Sequence, residues 1–350
     1  MIWLITILII AAASFPFIVG ILLSAPRYKG PVSDHFNGKQ FLNPKGIKAK
    51  GLPDVFKWMR ERQRGKWENK RHLKPGPKPL PRYDNGVRIT FVNHSTFLIQ
   101  VDGINILTDP VWSERVSPFA FAGPRRMRPP GIAFSDLPKI DLVLLSHNHY
   151  DHLDITTLRR IHDKYNPQFI VPLGVSPYLE KKKITLVREM DWWQKIPFGT
   201  GFSIESVPAQ HFSGRGTMDR DCTLWCGYCI HGTHGNIYFA GDTGYNPDTF
   251  REIGLRTRPT LSIIPIGAFK PEWFMSPIHC SPDEAVRIHI DLNSPQSIAS
   301  HFGTFPLADD SCDDPVDGLV AALKREGLSQ KQFVVLEEGV ARDFDTRPEV

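Results

Sequence analysis

Three histidines and an aspartate fall within six residues in the run Ser146-His147-Asn148-His149-Tyr150-Asp151-His152. Imidazole nitrogens and carboxylate oxygens are ligands that zinc accepts. Without an ion, so many titratable groups packed together would perturb one another's ionisation. The run follows Asp141–Ser146, a near-continuous apolar stretch of the kind found in strands buried on both faces. In an extended segment residues two apart point the same way, so His147 and His149 can converge on one ion. A turn then brings Asp151 and His152 round toward a second. One loop supplies too few ligands for two ions. The rest stand where other apolar runs end: His211 after Ser203–Gln210, Asp242 after Tyr238–Gly241 and His301 after Ser297–Ser300. In α/β sheets the ends of different strands face a common cleft. The chemistry such a set supports is hydrolysis assisted by two metal ions, which lower the pKa of water to near 7. Two zinc ions are the expected cofactors, and iron or manganese fits the same donors.

Strands dominate the elements that must position these residues. Val87–Val92, Thr96–Val101 and Asn105–Thr108 have strand composition, with Asp102-Gly103 as a turn between two of them. Phe169–Pro172, Phe202–Val207, Asn236–Ala240, Leu261–Pro265 and Ser297–Ser300 add further strands. Helices are expected at Ile155–Lys164, Pro282–Ile290 and Val316–Arg325. The second has a clear start: Ser281 can cap it, Pro282 suits the first helical position and Glu284 completes a capping box. Strands interleaved with helices imply a layered α/β architecture. Upstream, Asp54–Arg64 reads as a short amphipathic helix with Val55, Trp58 and Met59 on one side.

Apolar content of 41% and charged content of 23% are those of a globular chain, which sets disorder aside. Five cysteines, an odd number, suggest no disulfide framework and favour a reducing compartment. From Ile2 to Leu23 there is no charged side chain, and about 20 apolar residues span a bilayer. Residues 1–24 are therefore read as a single-pass transmembrane anchor rather than a cleaved signal peptide, since Ser24-Ala25-Pro26 is a poor cleavage site. Arg27, Lys29 and the basic run behind them place the following domain in the cytoplasm. Residues 25–86, rich in Lys, Arg, Gly and Pro, read as a basic extension, and 87–350 as the catalytic domain.

The set His147-x-His149-x-Asp151-His152, His211, Asp242 within Gly241-Asp242-Thr243, and His301 resembles the metallo-β-lactamase superfamily. Ser146–Asp154, Asp191-Trp192-Trp193, Phe239–Tyr245, Ile264–Ala268, Glu284–His289, Thr108-Asp109-Pro110 and Trp273-Phe274-Met275 are similar to one branch of it, the N-acylphosphatidylethanolamine-hydrolysing phospholipases D. The resemblance runs from about Val87 to Glu338. It implies an αββα sandwich with two zinc ions in a cleft at one edge of the sheets. By the same resemblance His147, His149 and His211 hold the first ion, Asp151, His152 and His301 hold the second, and Asp242 bridges them. The partners implied are a phospholipid substrate and a membrane. A homodimer is left open and no nucleic acid is expected. The apolar N-terminus departs from the animal members, whose topology does not carry over.

Two residues are candidates for supporting the chemistry. His279, just before the capped helix, is placed to assist the leaving alcohol, with a structural or substrate-contacting role as the alternative. Asp109, after the strand at 105–108, is placed to orient a histidine ligand, or else is a turn aspartate before Pro110. Trp112, Phe119, Phe121, Trp273, Phe274 and Met275 read as loop residues that could line an apolar groove, and Arg125, Arg126 and Arg128 as a basic cluster that could face phosphate. Core packing and a solvated loop are the plain alternatives. Cys222-x3-Cys226-x2-Cys229 has the spacing of an iron–sulfur motif, but buried cysteines behaving as small hydrophobes are the preferred reading. Hydrolysis of a lactone or a nucleic-acid phosphodiester, or a non-catalytic membrane scaffold, are the competing functions, because fold does not fix substrate.

Overall fold

The computed structural model describes residues 3, 14 and 17–345. β1 (Val87–Asn93), β2 (Thr96–Val101) and β3 (Ile104–Thr108) form an antiparallel meander. β4 (Leu142–Leu144), β5 (Gln168–Pro172) and β6 (Val187–Met190) extend it in parallel. The second sheet takes β7 (Lys195–Pro197), β8 (Ser203–Val207), β9 (Gly227–Gly232) and β10 (Gly235–Phe239) antiparallel, then β11 (Leu261–Pro265), β12 (Gln296–Ser300) and β13 (Phe333–Val334) parallel. β14 (Ala341–Phe344) returns to the first sheet and pairs antiparallel with β1. Each sheet thus has seven strands and is mixed, in the orders β14-β1-β2-β3-β4-β5-β6 and β13-β12-β11-β10-β9-β8-β7.

The helices are α1 (Leu52–Glu61), α2 (Ile155–Tyr165), α3 (Ser176–Lys181), α4 (Pro247–Thr257), α5 (Glu272–Met275), α6 (Pro282–Asp291) and α7 (Asp314–Arg325). Alternate residues of the first sheet feed two different cores. Phe91, Ile99, Ile106, Leu144 and Ile170 enter the large core that also holds Val207, Ile230, Phe239 and Ile263 of the second sheet. Val92, Leu98, Leu107, Val143 and Phe169 point the other way, onto Leu158 and Ile161 of α2 and Leu179 of α3. Burial on both faces accounts for strands that read as unbroken apolar runs. Phe250, Val286 and Leu319 bring α4, α6 and α7 into the large core, completing the expected αββα layering.

The apolar run read as a membrane anchor lies mostly outside the described residues. Among the described residues no helix is long and apolar enough to cross a membrane. The basic stretch 25–86 lies along the domain. Phe36 and Phe41 are buried against Ala209, Leu224 and Trp225, and His35 stacks on Trp192 at 4.4 Å. Backbone N–H of Ala25 donates to Asp219 Oδ2 at 2.8 Å. Helix α1 differs from its expected orientation. Val55 and Trp58 pack against Ala268, Phe274 and Met275, but Met59 is 61% exposed. Leu52, Phe56 and Met59 form the outer stripe instead, because Trp58 Nε1 is drawn inward to Asp309 Oδ2 at 2.9 Å.

Candidate metal centre

The ligand loop connects β4 to α2. Asp154 terminates it: one carboxylate oxygen accepts the backbone N–H of Thr156 and Thr157, and the other those of Trp112 and Ser113. This cap fixes where the helix starts. Leu153 N–H donates to His149 O at 2.8 Å, closing the turn that swings Asp151 and His152 away from His147. Arg215 holds the loop from outside, donating to Asn148 O at 2.7 Å and Leu153 O at 3.1 Å and stacking over Tyr150.

Three ring nitrogens meet on one side. His147 Nε2 lies 2.8 Å from His149 Nδ1, which lies 3.2 Å from His211 Nε2. Nitrogens bound tetrahedrally to one zinc at ~2.0–2.1 Å stand roughly 3.3 Å apart, so this spacing is close to that of a ligand triad. On the other side Asp151 Oδ2 lies 3.4 Å from His152 Nε2 and 3.5 Å from His301 Nε2. Between the groups is Asp242 Oδ2, at 3.0 Å from His301, 3.1 Å from His152, 3.8 Å from His211 and 4.0 Å from His147. Asp242 reaches this position because Gly241 takes φ +62° and leaves no room for a side chain: a Cβ there would come within 2.6 Å of Ser146 Cβ.

Buried atoms that lack partners test whether ions fit. His152 Nε2, His301 Nε2 and Asp242 Oδ1 are buried without a hydrogen-bond partner, although buried polar groups are nearly always paired. Lone pairs directed at a shared centre supply the explanation, and the His and Asp clusters are consistent with a binuclear metal site. Three of the remaining ring nitrogens are set as metal-ligating histidines require, while His301 Nδ1 is buried without a partner. His152 Nδ1 is 2.7 Å from Asp109 Oδ2, His211 Nδ1 is 2.8 Å from Ile278 O and His147 Nδ1 is 2.9 Å from Ser146 Oγ. Asp109 also accepts from Ser146 N and Oγ at 2.7 and 2.6 Å. It touches the ring of His152 and not the central space. Asp109→Ala is expected to weaken the second ion's binding by about 10–100-fold, and Asp109→Asn by less. Competition with a graded chelator measures both, and equal loss at the first ion would contradict it.

Electrostatics divide the two positions. Burial pushes His149 down to about 3 and His147 and His211 well below the ordinary histidine range. Burial also opposes charge on His152 and His301. The carboxylates of Asp242 and Asp151 outweigh it, raising His301 to about 9 and His152 well above the usual value. In return, His152 and His301 hold Asp242 well below the carboxylate range against the opposing effect of burial.

His279 lies beside the cluster, Nδ1 at 3.9 Å from Asp242 Oδ2, and burial lowers it to about 4. The apolar and basic candidates are distributed differently from expectation. Phe274 and Met275 belong to α5 and are buried, while Phe119 and Phe121 are exposed. Arg126 is buried and donates to Ser113 O and Val111 O at 3.0 and 3.2 Å. Arg128 pairs with Glu338. Of the basic cluster only Arg125 is substantially exposed, and it pairs with Glu114 at 3.5 Å. Cys222, Cys226 and Cys229 are buried free thiols. Two contributors were not visible in the sequence reading. Asn43 Oδ1 accepts the backbone N–H of His211 at 2.8 Å and its Nδ2 donates to His211 O at 2.8 Å, across 168 residues. His94 joins Asp151, His152 and His301. It follows β1 as His301 follows β12, which is the signal that could have found it.

Fold and site together define a metal-dependent hydrolase. Residues 104–302 match the model of the beta-lactamase superfamily domain, and the chain belongs to the metallo-β-lactamase superfamily. It is 35% identical over 328 residues to N-acyl-phosphatidylethanolamine-hydrolyzing phospholipase D 1 of Caenorhabditis elegans, covering 87% of this chain and 92% of that protein. It is 30% identical over 261 residues to a metal-dependent hydrolase of Methanopyrus kandleri, covering 72% of this chain and 98% of the relative. The crystal structure of isothiocyanate hydrolase from Delia radicum gut bacteria superposes with a TM-score of 0.59 at 20% identity, over 73% of this chain and 99% of that one, a likeness of fold alone.

Proposed function

We propose that the protein is a phospholipase D-type phosphodiesterase that hydrolyses N-acylphosphatidylethanolamine to phosphatidic acid and N-acylethanolamine. The observation that carries this reading is the 35% identity along 87% of the chain to a phospholipase D of that specificity. A complete set of ligand-type residues around one cleft supports it. His147, His149 and His211 would hold the first ion and Asp151, His152 and His301 the second, with the Asp242 carboxylate lying between the two groups. The ions are taken as zinc on donor type. Bound there, two divalent cations supply a strong nucleophile from water at neutral pH and compensate charge developing on phosphoryl oxygens.

The chain's own residues do the positioning. Asp109 takes the Nδ1–H of His152, so the ring presents its Nε2 to the cleft. Ile278 O does the same for His211. His279, lowered to about 4, is neutral at pH 7. Its part in the reaction is an N–H hydrogen bond to the leaving oxygen rather than delivery of a proton it already carries as a cation. The apolar run 1–24 holds the domain at the membrane where this substrate resides, with the domain on the cytoplasmic side.

The test is phosphatidic acid release from N-acylphosphatidylethanolamine in mixed micelles, comparing metal-loaded protein with the His147→Ala, Asp151→Ala double variant. Release that disappears in the double variant is the expected result. No release from wild-type protein that retains its metal would discard the lipid substrate and turn attention to lactones and nucleic acids.

A further inference from the structure

His94 stands in the turn between β1 and β2, with Nε2 3.0 Å from Asp151 Oδ2. The ring is buried, its centroid 4.0 Å from that of His301 and 5.4 Å from that of His152. Its backbone has φ +49°, a conformation that non-glycine residues adopt at a cost. Two contacts hold it there: His94 N–H donates to Thr304 Oγ1 at 2.9 Å, and His94 O accepts from His301 N–H at 2.8 Å. One residue is therefore tied through its backbone to one member of the second metal group and through its side chain to another. Strained residues kept by such double anchoring concentrate at functional sites.

A histidine here can be a further ligand or a hydrogen-bond donor to the Asp151 carboxylate. His94 Nδ1 is buried without a hydrogen-bond partner. A ligand binding through Nε2 would carry its proton on Nδ1, leaving a buried N–H unpaired, the arrangement proteins avoid most. His152 and His211, whose Nε2 atoms also face the cleft, each place Nδ1 against an acceptor, whereas His301 Nδ1 is buried without one, as in His94; what favours donation by His94 is the 3.0 Å approach of its Nε2 to Asp151 Oδ2. With the proton on Nε2 instead, His94 donates to Asp151 and leaves only a bare acceptor at Nδ1. A carboxylate oxygen has lone pairs enough to take that bond and bind an ion.

We propose that His94 is a positioning residue of the second metal position, its Nε2–H fixing the Asp151 carboxylate in its ligating orientation. This rests on the metal assignment given under the proposed function, and the test keeps the two apart. Metal-free full-length protein, His94→Ala and His94→Gln are titrated with Co2+, following stoichiometry, competition with a chelator and the visible cobalt bands. Wild-type protein is expected to take two ions. His94→Ala should keep the first ion at unchanged affinity and bind the second about 10–100-fold more weakly. His94→Gln, whose side-chain amide can donate to Asp151, should recover most of that loss with wild-type band shapes. Undiminished second-ion affinity in His94→Ala overturns the proposal. So does a glutamine variant as weak as the alanine one, or one whose bands report a changed coordination number, which would make His94 a ligand. Wild-type protein that takes up no cobalt overturns the metal assignment itself.

Discussion

On the proposed function, Asp242→Ala is expected to release both ions and to lower N-acylphosphatidylethanolamine hydrolysis by about a thousandfold or more, since metal and its compensation of charge leave together. Asp151 reaches one group of histidines, whereas a single oxygen of Asp242 lies within 4.0 Å of His147, His152, His211 and His301. Its other oxygen is buried and unpaired. Without the carboxylate, no anion remains between two sets of buried imidazoles, and a second cation beside the first is uncompensated. The fold should survive, because burial alone already drives these rings toward the neutral form. Metal content after gel filtration, read beside the turnover, decides the matter. A variant that keeps both ions would show that Asp242 is not the bridge. Asp242→Asn, which retains an oxygen ligand without charge, should fall between.

The two ions should also differ sharply in their response to pH. In the metal-free protein the carboxylates hold protons on His152 and His301, the latter up to about 9. An incoming ion must displace those protons. The sign follows directly: lowering pH favours the protonated rings and opposes the metal, and raising pH toward about 9 relieves the competition. Two displaced protons correspond to roughly a hundredfold in second-ion affinity per pH unit. At the first position burial holds His149 at about 3 and His147 and His211 well below the usual range. Protons therefore compete far less at this position near neutral pH. Chelator competition at pH 6, 7 and 8 should therefore give a steep dependence for one ion and a flat one for the other. Equal slopes would contradict this division of charge.

The residues that gather around the cleft could be read from the chain because their signals are local. The 147–152 loop gathers its chemistry within one turn, and His211, Asp242 and His301 each follow an apolar run that ends as a strand. Strands β1–β5 of the first sheet were equally readable, since burial on both faces writes long apolar runs, whereas β6 is only partly buried and was not foreseen. What escaped notice depends on distant parts of the chain. β14 is largely exposed and contains Arg342 and Asp343; it is a strand because Arg88 and Asp343 pair across it and β1 supplies its hydrogen bonds. β7 is three residues ending in proline at a sheet edge. Helix α4 was not foreseen either: Asn246 caps it and Pro247 stands in its first turn, but few apolar residues follow. Helix α1 had its period right and its rotation wrong, because an indole hydrogen bond to a residue 251 positions away turns it. His94 follows β1 as His301 follows β12, yet it lies outside the residues singled out from the sequence.

The sequence distance spanned by the centre also bears on how the protein acquires its metal. His94 is held by Thr304, 210 residues later, and His211 by Asn43, 168 residues earlier. At about 5–20 residues per second, the stretch from His94 to Thr304 takes roughly 10–40 s to synthesise. For the later part of that interval, once His152 has been made, the nascent chain has the 147–152 loop without all the partners that complete the site. Ions met early are bound weakly and exchange freely, and the lasting choice is made by a nearly finished chain. Where several divalent ions suit the same imidazoles and carboxylates, availability at that moment decides among them. The metal found in the purified protein thus records the supply of exchangeable ions around newly completed chains as much as it records the preference of the site.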